Sequence, residues 1–127
     1  MSEKIFATAI NCMDGRVQLP VTAFLKKKYG VDYVDMITEP GTDGILAANQ
    51  DKIAIESIKR KVGISTGRHG STHIAIVGHH DCAGNPVDKD IHLVHIRSAV
   101  KAVKSWGIKA EVIGLWVDDE WKVSEVK

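Results

Sequence analysis

The apolar run over residues 74–77, Ile-Ala-Ile-Val, is the sequence feature that most limits how this chain can fold. Polar and apolar side chains do not alternate in it, which is typical of a strand that helices cover on both faces. Gly78 follows, and a glycine lets the backbone turn sharply where a strand ends. His79 and Cys82 come next, three positions apart, and both are residue types that bind metal ions. We therefore predict a buried strand with a functional site at its carboxyl end.

The rest of the chain alternates between strand patterns and helix patterns. Further strands are predicted at residues 5–10, 31–37 and 111–117, with a short fifth strand at 121–123. Helices are predicted from residue 20 to Gly30, from residue 42 or 43 to 62 with a break near 50–51, and from 88 to 105. Residues 63–70 are predicted to form a polar loop. Strands that alternate with helices indicate a mostly parallel sheet with right-handed crossovers.

The polarity of each strand predicts its place in the sheet. Strands 1, 3 and 4 are nearly all apolar and belong inside, whereas Asp32 and Asp35 favour an edge position for strand 2. We therefore predict a three-layer α/β/α fold with a mostly parallel, four- to five-stranded sheet in the order 2-1-3-4 or 2-1-3-4-5. In this order the connections after strands 1 and 3 leave for opposite faces, so a crevice opens between their carboxyl ends.

Cys12 follows the first strand and would lie across this crevice from His79 and Cys82. Two thiolates and an imidazole would form a zinc site with an open fourth position, as catalytic zinc sites have. Asp14 could accept a hydrogen bond from water on such a zinc ion, and Arg16 could bind that carboxylate in a bidentate manner and keep it ionised. We therefore predict Cys12, His79 and Cys82 as metal ligands and Asp14 and Arg16 as catalytic residues.

Simpler explanations exist for these residues taken one at a time. Buried cysteines are common without a metal, and Asp14 with Arg16 could form only a salt bridge in a turn. His80 could replace His79 as a ligand, although adjacent side chains point in different directions. We expect structural roles for the other polar or aromatic residues, with Asp81 capping a turn. His92 and His95 are expected on a solvated helix face, although they could shuttle protons. Tryptophan side chains are expected to pack in the core or at a subunit contact, namely Trp106, Trp116 and Trp121.

A cysteine-dependent phosphatase is another interpretation of Cys12 followed by Arg16, because a thiolate in an anion-binding loop can attack phosphorus. Only three residues separate the two, which is too few for a loop whose amides surround a phosphate. Asp14 between them would also repel the anion. The spacing therefore argues against this class.

Composition narrows the function class further. The 17 Lys and Arg residues nearly balance the 16 Asp and Glu residues, so the net charge of +1 provides no long-range attraction for nucleic acid or an anionic membrane. A length of 127 residues with 44% hydrophobic content is typical of one globular domain, which we place at residues 1–127. We find no signal peptide or membrane-spanning pattern, and we expect a cytoplasmic protein with reduced cysteines.

The two motifs resemble those of the β-class carbonic anhydrases. That family has Cys-x-Asp-x-Arg at the end of its first sheet strand and His-x-x-Cys after a later strand, matched here by Cys12, Asp14 and Arg16 and by His79 and Cys82. The resemblance extends over most of the chain and implies a β-carbonic anhydrase-like fold with zinc on the two cysteines and the histidine. It also implies hydration of carbon dioxide to bicarbonate by a zinc-bound hydroxide, which the Asp14 and Arg16 pair would orient.

The same resemblance leaves alternatives open. Relatives with such a site hydrolyse carbonyl sulfide or carbon disulfide, which are linear molecules like carbon dioxide. In some family members the aspartate that corresponds to Asp14 occupies the fourth zinc position, so a non-catalytic zinc-binding protein is a further alternative. The resemblance also implies a homodimer or a higher homo-oligomer, with small-molecule substrates rather than macromolecular ones.

Overall fold

The computed structural model describes residues 3–127, which form a sheet of five strands and four helices. The strands are β1 (Phe6–Cys12), β2 (Tyr33–Glu39), β3 (His73–His79), β4 (Glu111–Val117) and β5 (Val123–Val126). The helices are α1 (Gln18–Tyr29), α2 (Thr42–Ala48), α3 (Lys52–Gly67) and α4 (Lys89–Lys104). No helix among these is long and apolar enough to cross a membrane.

The strand order is β2-β1-β3-β4-β5, which confirms the predicted order and the mostly parallel α/β fold. β1 to β4 are parallel, and only β5 runs antiparallel, against β4. β2 lies at the edge, as Asp35 within it and Asp32 just before it predict. The fifth strand begins at Val123, slightly later than predicted, because Trp121 lies in the turn before it, with its N–H bonded to the Asp118 carbonyl.

The two faces of the sheet bury separate sets of apolar side chains, since neighbouring residues in a strand point to opposite faces. On one face Val77 belongs to a cluster with Leu25 of α1. On the other face Ile76 belongs to a cluster with Ile58 of α3 and Val103 of α4. The helix after β1 and the helix after β3 therefore cover opposite faces, and the predicted crevice lies between the carboxyl ends of these two strands.

The helical region after β2 is divided, as predicted, but it extends further than predicted. Asn49 adopts a left-handed φ of 54° and ends α2, and Asp51 caps α3 through its carboxylate. α3 then continues to Gly67, so the prediction of a loop at residues 63–70 is wrong for 63–67 and right only for 68–70. Buried Ser65 explains the difference, because its hydroxyl donates to a carboxylate of β2 and holds this turn of the helix against the sheet.

The helix after the candidate site begins and ends as its sequence predicts. The Asp88 carboxylate accepts a hydrogen bond of 3.0 Å from the Ile91 N–H at the start of α4. At the other end, Gly107 takes a left-handed φ of 71°, which suits a residue without a side chain. Local capping chemistry thus sets the length of the helix that packs against β3.

Two isoleucines of α3 provide a test of this packing. Ile58 is fully buried against the sheet, whereas Ile53 is 87% exposed at the start of the same helix. We expect Ile58→Ala to lower the free energy of unfolding by about 2–5 kcal/mol, because it leaves a cavity in the core. Ile53→Ala should change it by no more than about 0.5 kcal/mol. Urea unfolding of the two variants measures both values, and equal losses would contradict the assigned orientation of α3.

Candidate metal centre

Three donor side chains converge at the carboxyl ends of β1 and β3. Cys12 is the last residue of β1, His79 is the last residue of β3, and Cys82 follows in the next turn. Their ligand atoms all lie within 4.8 Å of one another, and all three residues are buried. The structure therefore brings together the residues that the sequence predicts as metal ligands.

The donor atoms fit a tetrahedral zinc ion. Cys12 Sγ and Cys82 Sγ are 3.9 Å apart, which is far longer than a disulfide bond of about 2 Å. Two sulfurs bound to one tetrahedral zinc at about 2.3 Å would be separated by about 3.8 Å. His79 Nδ1 donates to the His80 carbonyl at 2.7 Å, so its lone pair lies on Nε2. Nε2 is buried and has no hydrogen-bond partner within residues 3–127, as expected of an atom available to a metal.

The protonation states of the two cysteines also favour the binding of a cation. The Cys82 thiol donates a hydrogen bond to Cys12, which lowers the pKa of Cys12 and raises the pKa of Cys82. The pKa of Cys82 also rises because a second thiolate at this position would be repelled by the thiolate of Cys12. Burial disfavours a charged His79, but the neighbouring Cys12 and the hydrogen bond to the His80 carbonyl outweigh it and raise the pKa of this imidazole. A divalent cation would remove the repulsion and allow both sulfurs to ionise.

Backbone N–H groups from two neighbouring turns surround the sulfurs. The Gly41 amide hydrogen-bonds Cys12, and the Gly84 and Asn85 amides hydrogen-bond Cys82. These bonds favour the thiolate form of each cysteine, although for Cys82 they offset only part of the rise in pKa that Cys12 and burial cause. The two turns touch backbone to backbone, since a Cβ built on Gly84 would lie 2.3 Å from the Pro40 carbonyl carbon. Glycine is therefore required for the two turns to pack this closely.

Asp14 and Arg16 form the predicted bidentate pair beside this cluster. Arg16 Nε donates to Asp14 Oδ1 at 3.0 Å, and Nη2 donates to Oδ2 at 2.7 Å. These bonds lower the pKa of Asp14 to about 2 and raise the pKa of Arg16. Within the described chain, the cluster of mutually close ligand atoms contains no carboxylate, because that of Asp14 is held by the arginine.

Arg16 has two further partners that the sequence did not predict. Its guanidinium donates to the Asp81 carbonyl at 3.1 Å and to the Asp81 carboxylate at 3.2 Å, and it lies 4.5 Å from the centre of the Trp121 ring. Asp81 and Trp121 both adopt left-handed backbone conformations, with φ of 58° and 62°. Such a conformation is uncommon for an aromatic residue as large as Trp121 and indicates that its position is constrained. Trp121 packs against the buried cluster on one face of the sheet, in line with the expected core or subunit contact, but the contacts of Asp81 and Trp121 with Arg16 were not predicted.

The remaining histidines take different positions. His80 is exposed and lies outside the donor cluster, with its ring 6.5 Å from that of Trp121. The expectation that His92 and His95 lie on a solvated face is wrong for His92, which is fully buried. Its Nδ1 donates to Asp43 at 2.6 Å, and this long-range partner is not visible in the helical periodicity. His95 is partly buried and accepts a hydrogen bond of 3.0 Å from the Asn85 side chain.

The family described as "Putative carbonic anhydrase" matches residues 2–127, so the chain belongs to this family. The comparison with curated proteins finds no significant match.

Two solved structures share the fold at low sequence identity. A carbonic anhydrase from Glaciozyma antarctica is 14% identical with a TM-score of 0.64, and the alignment covers 95% of this chain and 81% of that one. One of two β-carbonic anhydrases from Sordaria macrospora, which are described as tetrameric, is 13% identical with a TM-score of 0.55, with coverage of 98% and 80%. The predicted resemblance and fold are confirmed.

Replacement of two adjacent histidines tests the donor set. We expect His79→Ala to weaken zinc binding by more than about 100-fold, because a direct ligand is lost and not only an outer partner. His80→Ala is the matched control and should keep the affinity of the unaltered protein. Competition with a chromophoric chelator measures both. A loss of affinity in His80→Ala and not in His79→Ala would contradict the arrangement described.

Replacement of a tryptophan tests the contacts of Arg16. We expect Trp121→Leu to speed hydrogen exchange at the Arg16 Nε–H by about 3- to 30-fold, since a cation–π contact contributes about 0.5–2 kcal/mol. Trp106→Leu is the control, because that ring lies near Lys59 instead. NMR of protein with ¹⁵N-labelled arginine measures the rate, and the same rate in both variants would refute the role of Trp121.

Proposed function

We propose that this member of the carbonic anhydrase family binds one zinc ion through Cys12, His79 and Cys82 and hydrates carbon dioxide to bicarbonate. The observation that carries the proposal is the convergence of these three buried donors beside a carboxylate that an arginine holds out of the cluster. The family and the fold support an enzyme of this kind.

The donor set favours zinc and an open position. Two thiolates and an imidazole are ligand types that zinc prefers, and three protein ligands are typical of catalytic zinc sites. When bound, zinc would lower the pKa of a coordinated water molecule and supply the nucleophile for hydration. The role of the chain is to hold the ion, to leave one face of it accessible and to orient what binds there.

Asp14 would orient the attacking water and not remove its proton. Hydrogen bonds from Arg16 hold the pKa of Asp14 at about 2, so the carboxylate is a weak base at neutral pH. An ionised carboxylate can only accept hydrogen bonds, and it would therefore fix which way the water's own lone pair points. Arg16 keeps Asp14 in one rotamer by donating to both of its oxygens.

The alternative functions differ in what they require of Asp14 and Arg16. Hydrolysis of carbonyl sulfide or carbon disulfide would use the same zinc and the same Asp14, because these molecules are also linear electrophiles. A non-catalytic site closed by Asp14 would require that this residue leave Arg16. A phosphatase would require Arg16 to bind an anion, whereas its donors point to Asp14 and Asp81.

The assembly and the location of the protein belong to the same proposal. We propose a homodimer or a higher homo-oligomer that acts in the cytoplasm on small molecules. The Sordaria macrospora enzymes are described as tetrameric, and large apolar side chains such as Leu19 are exposed in this chain.

Stopped-flow hydration of carbon dioxide tests the proposed activity. We expect Asp14→Ala to lower kcat/KM by about 100-fold or more while it keeps its zinc, because the nucleophile is no longer oriented. Cys82→Ser should lose both zinc and activity. Asp119→Ala replaces an exposed aspartate that is not a member of the donor cluster and should act like the unaltered protein.

Zinc-loaded protein that does not hydrate carbon dioxide at alkaline pH would overturn the proposed reaction. The same preparation is then assayed with carbonyl sulfide. Hydrolysis of carbonyl sulfide would identify a sulfur analogue of carbon dioxide as the substrate. If neither compound is turned over, the protein is a non-catalytic zinc-binding protein.

A further inference from the structure

A buried polar cluster lies next to the metal centre and contains Asp43, Asn85 and His92. Asp43 Oδ2 accepts a hydrogen bond of 2.6 Å from His92 Nδ1, and Asp43 Oδ1 accepts one of 3.2 Å from Asn85 Nδ2. The side chains of Asp43 and His92 are each only 1% exposed. Burial of a carboxylate is unfavourable unless it is hydrogen-bonded, so the position of Asp43 depends on these two partners.

Asp43 also touches the segment that carries the histidine ligand. A Cβ built on Gly78 would lie 2.6 Å from Asp43 Oδ2, so the carboxylate packs directly on the backbone of the residue before His79. Only glycine leaves enough room for this contact. The carboxylate therefore sets how closely α2 approaches the end of β3.

Asn85 connects the same carboxylate to the cysteine ligands. Its side chain binds Asp43, and its backbone amide hydrogen-bonds Cys82 Sγ. The same amide nitrogen lies 2.9 Å from a Cβ built on Gly41, whose own amide hydrogen-bonds Cys12 Sγ. A shift of Asn85 would therefore move the donors that face both sulfurs.

We propose that Asp43 is a positioning residue of the metal centre, acting through Asn85 on the turn that holds Cys82 and anchored to α4 by His92. This inference rests on the metal centre proposed above. Asp43 lies outside the donor cluster and would act on the metal through hydrogen bonds. Residues in the outer shell of metal sites commonly act in this way.

A second carboxylate and imidazole pair in the same protein supplies a matched control. His69 Nδ1 and Asp35 Oδ2 are also 2.6 Å apart, and Ser65 donates to the same oxygen. Asp35 lies on β2 opposite Thr8, four residues before Cys12 on β1. Its hydrogen-bond partners, Ser65 and His69, lie on α3 and in the loop after it, and within residues 3–127 neither belongs to the donor cluster, so we expect its loss to affect folding and not the metal.

The test compares Asp43→Asn with Asp35→Asn in the full chain. Zinc affinity is measured by competition with a chelator, the ligand field is measured by absorption of the cobalt(II) form, and stability is measured by urea unfolding. We expect Asp43→Asn to weaken zinc binding by about 10- to 100-fold and to change the cobalt spectrum. Asp35→Asn should lower stability while it leaves the zinc affinity and the cobalt spectrum unchanged.

Asn85→Ala provides a second variant that does not depend on the folding of Asp43→Asn. It removes the side-chain link to Asp43 but keeps the amide that faces Cys82, and we expect it to lower zinc affinity by about 10-fold or more. The double variant should lose no more zinc affinity than whichever single variant binds zinc more weakly, because both changes break the same connection.

The possible results separate this inference from the proposed function. Unchanged zinc affinity in Asn85→Ala, or an equal loss in Asp35→Asn, would overturn the positioning role while the metal centre stands. If the unaltered protein binds no zinc, the proposed metal centre itself fails, and the positioning role fails with it. If it binds zinc but does not hydrate carbon dioxide, only the proposed reaction fails, because the affinities still report on Asp43.

Discussion

The parallel pairing of β1 with β3 is the constraint on which the rest of the structure depends. Ile10 lies opposite Ile76 in this pair, so both strands end at the same edge of the sheet, where Cys12 and His79 become neighbours. The helices after the two strands cover opposite faces, which leaves that edge open. A site built from residues about 70 positions apart thus follows from one strand register.

The site itself combines two sulfurs that repel one another when both are ionised with neighbouring groups that offset this repulsion. Two sulfurs 3.9 Å apart cannot both ionise easily without a cation, although the amides of two glycine-containing turns favour thiolates. Asp14 adds another negative charge nearby, and Arg16 holds it out of the donor cluster. The arrangement is therefore suited to a divalent cation.

The sequence predicted what depends on local pattern and could not predict what depends on distant partners. Unbroken apolar strands gave the sheet order, and the ends of those strands gave the three donors and the pair of Asp14 with Arg16. The burial of His92, the extension of α3 past residue 62 and the contact of Trp121 with Arg16 were missed. Each of these depends on a hydrogen bond or a ring contact between residues far apart in the chain, which periodicity does not report.

X-ray absorption at the zinc edge of the purified protein tests the central claim most directly, because it counts the atoms that surround the metal. Two sulfurs at about 2.3 Å with two lighter atoms at about 2.0–2.1 Å are predicted, one from His79 and one from solvent. A zinc ion surrounded only by nitrogen and oxygen, or by a single sulfur, would contradict the account, because Cys12 and Cys82 would then not share one ion.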